Sequence, residues 1–546
     1  MVQVRRLSSL VFCCIRRIDT DWIIDDVANS WATSVSSRSI SYRWAMVLAA
    51  VFETVGAITV SARTADTIKN GIIPLESFHD DAGVQMLAFT CALAGASSWV
   101  MWCTRHSAHV PSSYSLISAV AGVGVAVAGA SQVQWGWNDG KGLGAIFAGL
   151  GMAPAISAGF GAIIFMLIKL VVHIRQNPVP WAVYSSPAFF LIAGTVCTLS
   201  IVYKGSPNLG LDDKPSWWIV AVTLGTGGGL CVLSAIFFVP FLHAKIINRD
   251  STVRWWMIFH GPQLWQRPAP AHADRAVVPN YAVVQERFHT KLRKGRGPLG
   301  WAMRTLHDNP MGAGKIYEFH NLKIFLFKRL PAMIVVGMLY GAHYDIHAAQ
   351  TGIAGIPKGQ RMARVYGHAT RYANEVEHTY SFVQIITACT ASFAHGANDI
   401  GNSVGPWAVV YSAGKPAMPP SRRLLSPSGS SPFSQITLSI GLVTYGFNIM
   451  KVMGNKITYH SPSRGCSMEL AAAITVLIFS QYSLPVSTSM CITGATIGVG
   501  LCNGTWKAVN FQRVGLLLTS WILTIPIAGT LGGIIMAVVL DALHFS

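Results

Sequence analysis

Asn398, Asp399, Asn402 and Ser403 alternate with Gly396, Gly401 and Gly405 in the stretch FAHGANDIGNSVGPWAVVY. Carboxylate and amide oxygens at this density are hard ligands, suited to Na+ as to other hard cations. Freed backbone N–H groups at a helix N-terminus attract anions, and freed carbonyls attract cations. The stretch follows an apolar run, which places these groups at membrane depth, where an ionisable residue marks a functional site. Unpaired backbone groups in hydrocarbon cost several kcal/mol each. The glycines therefore predict a broken helix whose backbone lies in protein or lines a cavity. A plain helix cap at the end of a span uses the same residue types.

Three further groups could carry chemistry. Ser487, Thr488 and Ser489 follow a proline in SLPVSTS, and hydroxyls with backbone N–H groups can hold an oxyanion. Back-bonding to the helix is the plainer role for such hydroxyls. Glu53 and Glu469 each lie inside an apolar span. A buried carboxylate must be paired, metal-bound or protonated, which leaves ion coupling and helix bridging both open. His395 precedes the Gly-Ala-Asn-Asp run; it could face the site, and a structural hydrogen bond is the reading preferred here.

The elements that must position these residues are membrane spans. The chain of 546 residues is 51% hydrophobic and only 12% charged, with mean hydropathy +0.43. Soluble domains carry about 25% charged residues. Apolar spans recur at approximately 42–62, 82–103, 114–133, 142–173, 180–203, 215–244, 324–344, 378–394, 404–413, 434–453, 468–480, 485–502 and 513–540. This is an all-α polytopic membrane protein. Residues 142–173 are long enough to tilt or bend. Residues 324–344 contain Lys328, Arg329 and Pro331 and suit an amphipathic surface segment.

The net charge of +18 does not signal nucleic acid here. Eleven basic residues fall between Lys245 and Arg304, against Asp250, Asp274 and Glu286, and basic loops stay cytoplasmic. We divide the chain into an atypical N-terminus (1–25), an N-terminal membrane repeat region (26–245), a central hydrophilic cytoplasmic loop (246–377) and a C-terminal membrane repeat region (378–546). Lys169 sits near a span end and is expected to snorkel. Trp22, Trp135, Trp137, Trp217 and Trp218 read as interface anchors. The ten cysteines are scattered and read as packing residues, with no C-x-x-C pair. There is no Walker loop, no G-x-S-x-G and no His-Glu-x-x-His, so an enzyme or an ATP-driven pump is disfavoured.

Three internal matches run in the same order in both halves. Asp26-Val-Ala-Asn29-Ser30 matches Asp399-Ile-Gly-Asn402-Ser403. FETVGAI around Glu53 matches MELAAAI around Glu469, and residues 109–129 match residues 485–504. Repeated membrane halves mark secondary transporters, with ion and substrate sites at the repeat interface.

GANDIGNS with PWAVVY, DVANSWATSVSSRS and PVSTSMCITGA resemble the inorganic phosphate transporter (PiT) family. DVANSWATSVSSRSISYR, ARTADTIKNGI and YGHATRYANEVEHTYSFVQIITACTASFAHGANDIGNSVGP resemble its fungal sodium/phosphate symporter branch. The resemblance covers most of residues 26–245 and 315–540. It implies two inverted repeats, about 11–12 transmembrane helices and two re-entrant hairpins. It implies Na+ at Asp26, Asn29, Asp399 and Asn402, and phosphate at Asn398, Ser112, Ser113, Ser487, Thr488 and Ser489. Glu53 and Glu469 fall on carboxylates the family needs for transport, and His395 on a motif position.

The implied function is sodium-coupled import of inorganic phosphate by alternating access across the plasma membrane. Proton coupling through Glu53 or Glu469 is the alternative from the same class, and a non-transporting phosphate sensor the alternative from another. Implied partners are phosphate, Na+ or H+, the lipid bilayer and, optionally, a second copy of the chain. No nucleic acid is expected, and no cofactor beyond sodium as coupling ion. The chain departs from the family pattern at Ile23-Ile24-Asp25-Asp26, at Pro111 where a serine is expected, and in SRRLLSPSGSSP. A damaged gene model and a degenerate transporter both account for these departures.

Overall fold

The computed structural model describes residues 30–60, 72–73, 82–106, 109–137, 142–203, 210–211, 214–271, 275–278, 295, 297–310, 319–338, 357–413, 457–482 and 484–544. The span expected at 434–453 and the SRRLLSPSGSSP segment lie outside them. We number the principal helices α1 (30–36), α2 (Tyr42–Thr59), α3 (Ala82–Arg105), α4 (Ser112–Ala128), α5 (Leu143–Ile168), α6 (Pro178–Val202), α7 (Ser216–Leu233), α8 (Asn374–Ala413), α9 (Pro462–Gln481), α10 (Thr488–Leu501) and α11 (Phe511–His544). Shorter helices at Pro298–Asp308, Phe319–Ile324, Leu330–Met338 and Pro357–Gly367 belong to the central region. No strand occurs among the described residues, only an isolated bridge between Asp250 and Arg275.

Six helical stretches among the described residues are long and apolar enough to cross a membrane: Gly83–Arg105, Leu143–His173, Pro178–Val202, Ser216–Ile247, Pro462–Gln481 and Phe511–Asp541. Prolines at the first turns of α6 and α9 start these helices where an N–H would go unpaired anyway. The 319–338 stretch, with Phe319 and Phe327 strongly exposed, is not among the six. The 142–173 region is one continuous helical run, extended past Ile168 by a π turn.

Two other apolar helices are short. α4 has 17 residues and α10 has 14. At 1.5 Å per residue they reach about 26 and 21 Å, less than the roughly 30 Å of hydrocarbon. Each is the second arm of a hairpin. α3 and α4 pack on each other, as do α9 and α10. At the base of the second hairpin Arg464 Nη2 donates to Asn503 Oδ1 at 2.7 Å. At its tip Ser480 reaches Asn398.

The hairpins are exchanged between halves. α3 and α4 pack on α11, which follows the second hairpin; α9 and α10 pack on α5, which follows the first. Small residues set both contacts. A Cβ on Gly122 would lie 1.9 Å from Gly529 O, and one on Gly498 would lie 2.1 Å from Ala158 O. Gly122 and Gly498 are aligned in the 109–129 and 485–504 match. α4 and α10 both begin at the centre and run to opposite ends of the bundle. This is the arrangement of two inverted repeats.

Two expectations are corrected. The helix through Gly396 and Gly401 is not broken: α8 runs without interruption for 40 residues, joining the spans read separately at 378–394 and 404–413. Its glycine serves close packing instead. A Cβ on Gly396 would lie 2.2 Å from Glu53 O, and one on Gly56 would lie 2.2 Å from Phe393 O, so α2 and α8 cross with backbones nearly touching. The match between the segments around Glu53 and Glu469 also fails. Glu469 lies on a hairpin arm, whose counterpart is α3, whereas Glu53 lies on α2.

Candidate functional site

The helix ends that α8 does not supply come from the hairpins. α4 starts after Pro111 and α10 after Ser487, both in extended backbone. First-turn N–H groups have no intrahelical partner, so each start offers donors and a partial positive charge. Both starts meet α8 at Asn398 and Asp399. Ser113 Oγ donates to Asp399 Oδ1 at 2.8 Å. Asn398 Nδ2 donates to Val486 O and, at 3.2 Å, to Asp399 Oδ1. Ser480 Oγ donates to Asn398 Oδ1 at 3.3 Å. Thr488 also stands beside the Asp399 carboxylate. On α5, a Cβ on Gly149 would lie 3.0 Å from Tyr114 Oη and 3.4 Å from Val486 Cγ1, so both hairpins converge on one glycine.

His395 extends this cluster toward α2. Its Nδ1 lies 3.3 Å from Glu53 Oε1 and its Nε2 3.6 Å from Asp399 Oδ2. One imidazole thus bridges two carboxylates, and all three side chains are buried. Glu469 is held apart from this group. Its Oε1 accepts from Thr33 and Ser34 at 2.5 Å each and from Gln384 Nε2 at 2.9 Å; its Oε2 accepts from Thr387 at 2.7 Å. It ties the second hairpin to α1 of the first half. Ser37 and Ser39 in turn donate to Gln384 Oε1.

Five predicted side chains therefore meet: Ser113, His395, Asn398, Asp399 and Thr488; Ser112, Ser487 and Ser489 are buried at the adjoining starts of α4 and α10. Among the described residues the Ser487 hydroxyl is buried without a hydrogen-bond partner. Glu53 joins through His395, whereas Glu469 does not reach the cluster. Asp26 and Asn29 lie outside the described residues. Asn402 is on α8, one turn beyond Asn398. A small cavity of about 10 Å³ adjoins the site between Ser30, Ala394, Ala472 and Thr488, room for about one water.

Arg464 was not singled out from sequence. It is fully buried at the start of α9, over the rings of Phe165, Tyr372 and Tyr459 at 5.5, 5.2 and 5.4 Å. It donates to Thr370 O and Asn503 Oδ1 at 2.7 Å. Beside it, Glu377 accepts from the N–H and hydroxyl of Ser463 at 2.9 and 2.8 Å. The cage clamps both hairpin ends to α5 and to the start of α8. A single arginine in an apolar-poor turn, SPSRG, gives no periodic signal of burial. Lys169, expected to snorkel, donates to Cys502 O at 3.4 Å and so caps the end of α10. The eight described cysteines are free, and no group of three metal-binding side chains occurs among the described residues.

An all-helical membrane chain with two exchanged hairpins meeting at a buried polar site has the architecture of a secondary transporter. The profile of the Phosphate transporter family matches residues 24–532. The phosphate-repressible phosphate permease pho-4 of Neurospora crassa is 34% identical over 95% of this chain and 94% of its own length. The sodium-dependent phosphate transporter 1 of Mus musculus is 25% identical over 94% of this chain and 92% of its own length. A solved structure described as the sodium-dependent phosphate transporter shares the fold, with TM-score 0.58 and 21% identity over 98% of this chain and 99% of that one. The chain belongs to the Phosphate transporter family, whose members are multi-pass membrane transporters and not enzymes.

Proposed function

We propose that this chain is a sodium-coupled symporter that imports inorganic phosphate across the plasma membrane by alternating access. The observation that carries this reading is the meeting of two oppositely directed helix N-termini at one buried carboxylate, Asp399. Phosphate is drawn to the first-turn N–H groups and to the hydroxyls of Ser112, Ser113, Ser487, Thr488 and Ser489. Asn398 sits between the two chemistries, with an amide that can face either ion. Na+ is held by Asp399 and Asn402, and by Asp26 and Asn29 from the other half. Its charge offsets the desolvation of the phosphate. Each hairpin belongs to one half but rests on the other, so movement of one half opens the site to one side. The names of the relatives above support phosphate and sodium as the transported pair.

A second reading rests on His395. An imidazole between Glu53 and Asp399 can carry a proton between the two carboxylates, which suits proton coupling. Reconstituted vesicles separate the two. A sodium gradient at equal pH drives labelled phosphate uptake in the first reading. A pH gradient without sodium drives it in the second, and that result overturns sodium coupling. Binding without flux under either gradient makes the chain a sensor.

A further inference from the structure

Trp255–Gln266, WWMIFHGPQLWQ, lies in the part of the chain that composition assigns to a hydrophilic loop. Yet Trp255 is 74% exposed and Phe259 77% exposed, with Trp256 and Trp265 beside them. Covering large aromatic side chains is favourable, and such clusters on a surface mark a contact.

The other face of the segment fixes its depth. Gly261, at φ 51°, lies against the ring of Phe237, where a Cβ would be 2.9 Å from Cδ1. Trp265 stacks on Tyr184 with centroids 6.5 Å apart, and lies 4.6 Å from His243. Phe237 belongs to the spanning stretch that starts at Ser216. At 1.5 Å per residue it is roughly 32 Å from that start, about one hydrocarbon thickness. Tyr184 is on the second turn of α6, roughly 9 Å from Pro178 by the same rise. Both contacts set the segment at the edge of the hydrocarbon, on the side of the basic loop.

Cations stand at the same level. The Arg175 guanidinium lies 4.7 Å from the Trp181 ring, and that of Arg254 lies 5.4 Å from the Trp256 ring. Trp181 and Tyr184 are themselves about half exposed. From behind, Arg267 Nε pairs with Asp250 Oδ2 at 2.8 Å and Arg267 Nη2 donates to Thr252 Oγ1 at 2.6 Å, which fastens the end of the segment. Aromatic rings with adjacent arginines are the composition of a membrane-interface belt facing anionic lipid.

We propose that residues 255–266 form an interface segment lying in the leaflet on the basic-loop side, with Trp255 and Phe259 among the acyl chains and Arg175 and Arg254 on anionic phospholipid headgroups. The membrane then holds the end of the α7 span, and lipid charge bears directly on this transporter.

The test uses the full chain in lipid nanodiscs of phosphatidylcholine, with and without phosphatidylserine. A fluorescent amino acid replaces Phe259 in one preparation and Val277, which is 93% exposed, in another. Nitroxide carried on lipid should quench position 259 several-fold more than position 277, and aqueous iodide should do the reverse. Phosphatidylserine should strengthen the lipid quenching at 259, and Arg175→Gln with Arg254→Gln should remove that gain. Iodide quenching at 259 equal to that at 277 would overturn the proposal. So would shielding of 259 from both quenchers, which would mean that protein covers it, or a lack of any response to phosphatidylserine.

Discussion

Ser113 and Asp399 are 286 residues apart in the chain and 2.8 Å apart in the fold, with the serine hydroxyl donating to the carboxylate. Each half of the molecule contributes one partner. The bond joins the tip of the first hairpin to the middle of α8, and so makes one site from two repeats.

Removing that bond should weaken transport without unfolding the chain. A hydrogen bond to a charged group contributes about 1.5–3 kcal/mol, and about 1.4 kcal/mol is a factor of ten. Ser113→Ala should therefore lower labelled phosphate uptake roughly tenfold or more at equal surface abundance. Uptake at the wild-type level would remove Ser113 from the site.

Glu469 tests a structural role. Four donors converge on its two oxygens. An amide offers one acceptor oxygen and brings two donors of its own. Glu469→Gln should destabilise the protein by about 1–3 kcal/mol, read as a lowered melting temperature, together with lower uptake. A melting temperature equal to wild type would show that the carboxylate is not needed to bind the second hairpin to α1.

The hairpin contacts predict a matched pair of packing defects. Gly122→Ala and Gly498→Ala place a methyl group on a backbone oxygen, and overpacking costs about 1–3 kcal/mol. Both should reduce the yield of folded protein. Gly151→Ala and Gly225→Ala, where a Cβ would meet nothing within 4 Å, should not. Equal yields for all four would contradict the exchanged-hairpin packing.

These glycines show what the sequence makes legible. The match between 109–129 and 485–504 locates both short helices, because small residues at fixed spacing are the signature of close packing. The GANDIGNS glycines mislead for the same reason. A glycine in an apolar span signals either a break or a close approach, and only the position of α2 decides between them. Glu469 was visible as a buried acid, but its partners Thr33 and Ser34 are contributed by a distant helix that no local pattern connects to it. Arg464 and the 255–266 segment were missed because basic and aromatic residues in a charged region look like a solvated loop until the fold shows what they touch.

Asp250 provides a pH test outside the spans. Burial pushes its carboxyl up, but the hydroxyl and N–H of Thr252, with Arg267 and Lys245, outweigh this and hold it below the usual carboxylate range. A lowered folded value contributes stability above the unfolded value, near pH 4, and that stability is lost as pH falls through the folded value. Asp250→Asn should cost up to about 1 kcal/mol at neutral pH, limited by solvent screening. The two melting temperatures should converge on acidification. A difference that persisted in acid would exclude the ion pair as its source.

The most direct measurement is labelled phosphate uptake by this chain in cells stripped of their own phosphate transporters, in sodium and in choline buffer, with Asp399→Asn alongside. Sodium-dependent uptake that vanishes in the variant at equal surface abundance is the predicted result. Sodium-dependent uptake that survives Asp399→Asn would contradict the assignment of the coupling site to the junction of the two hairpins.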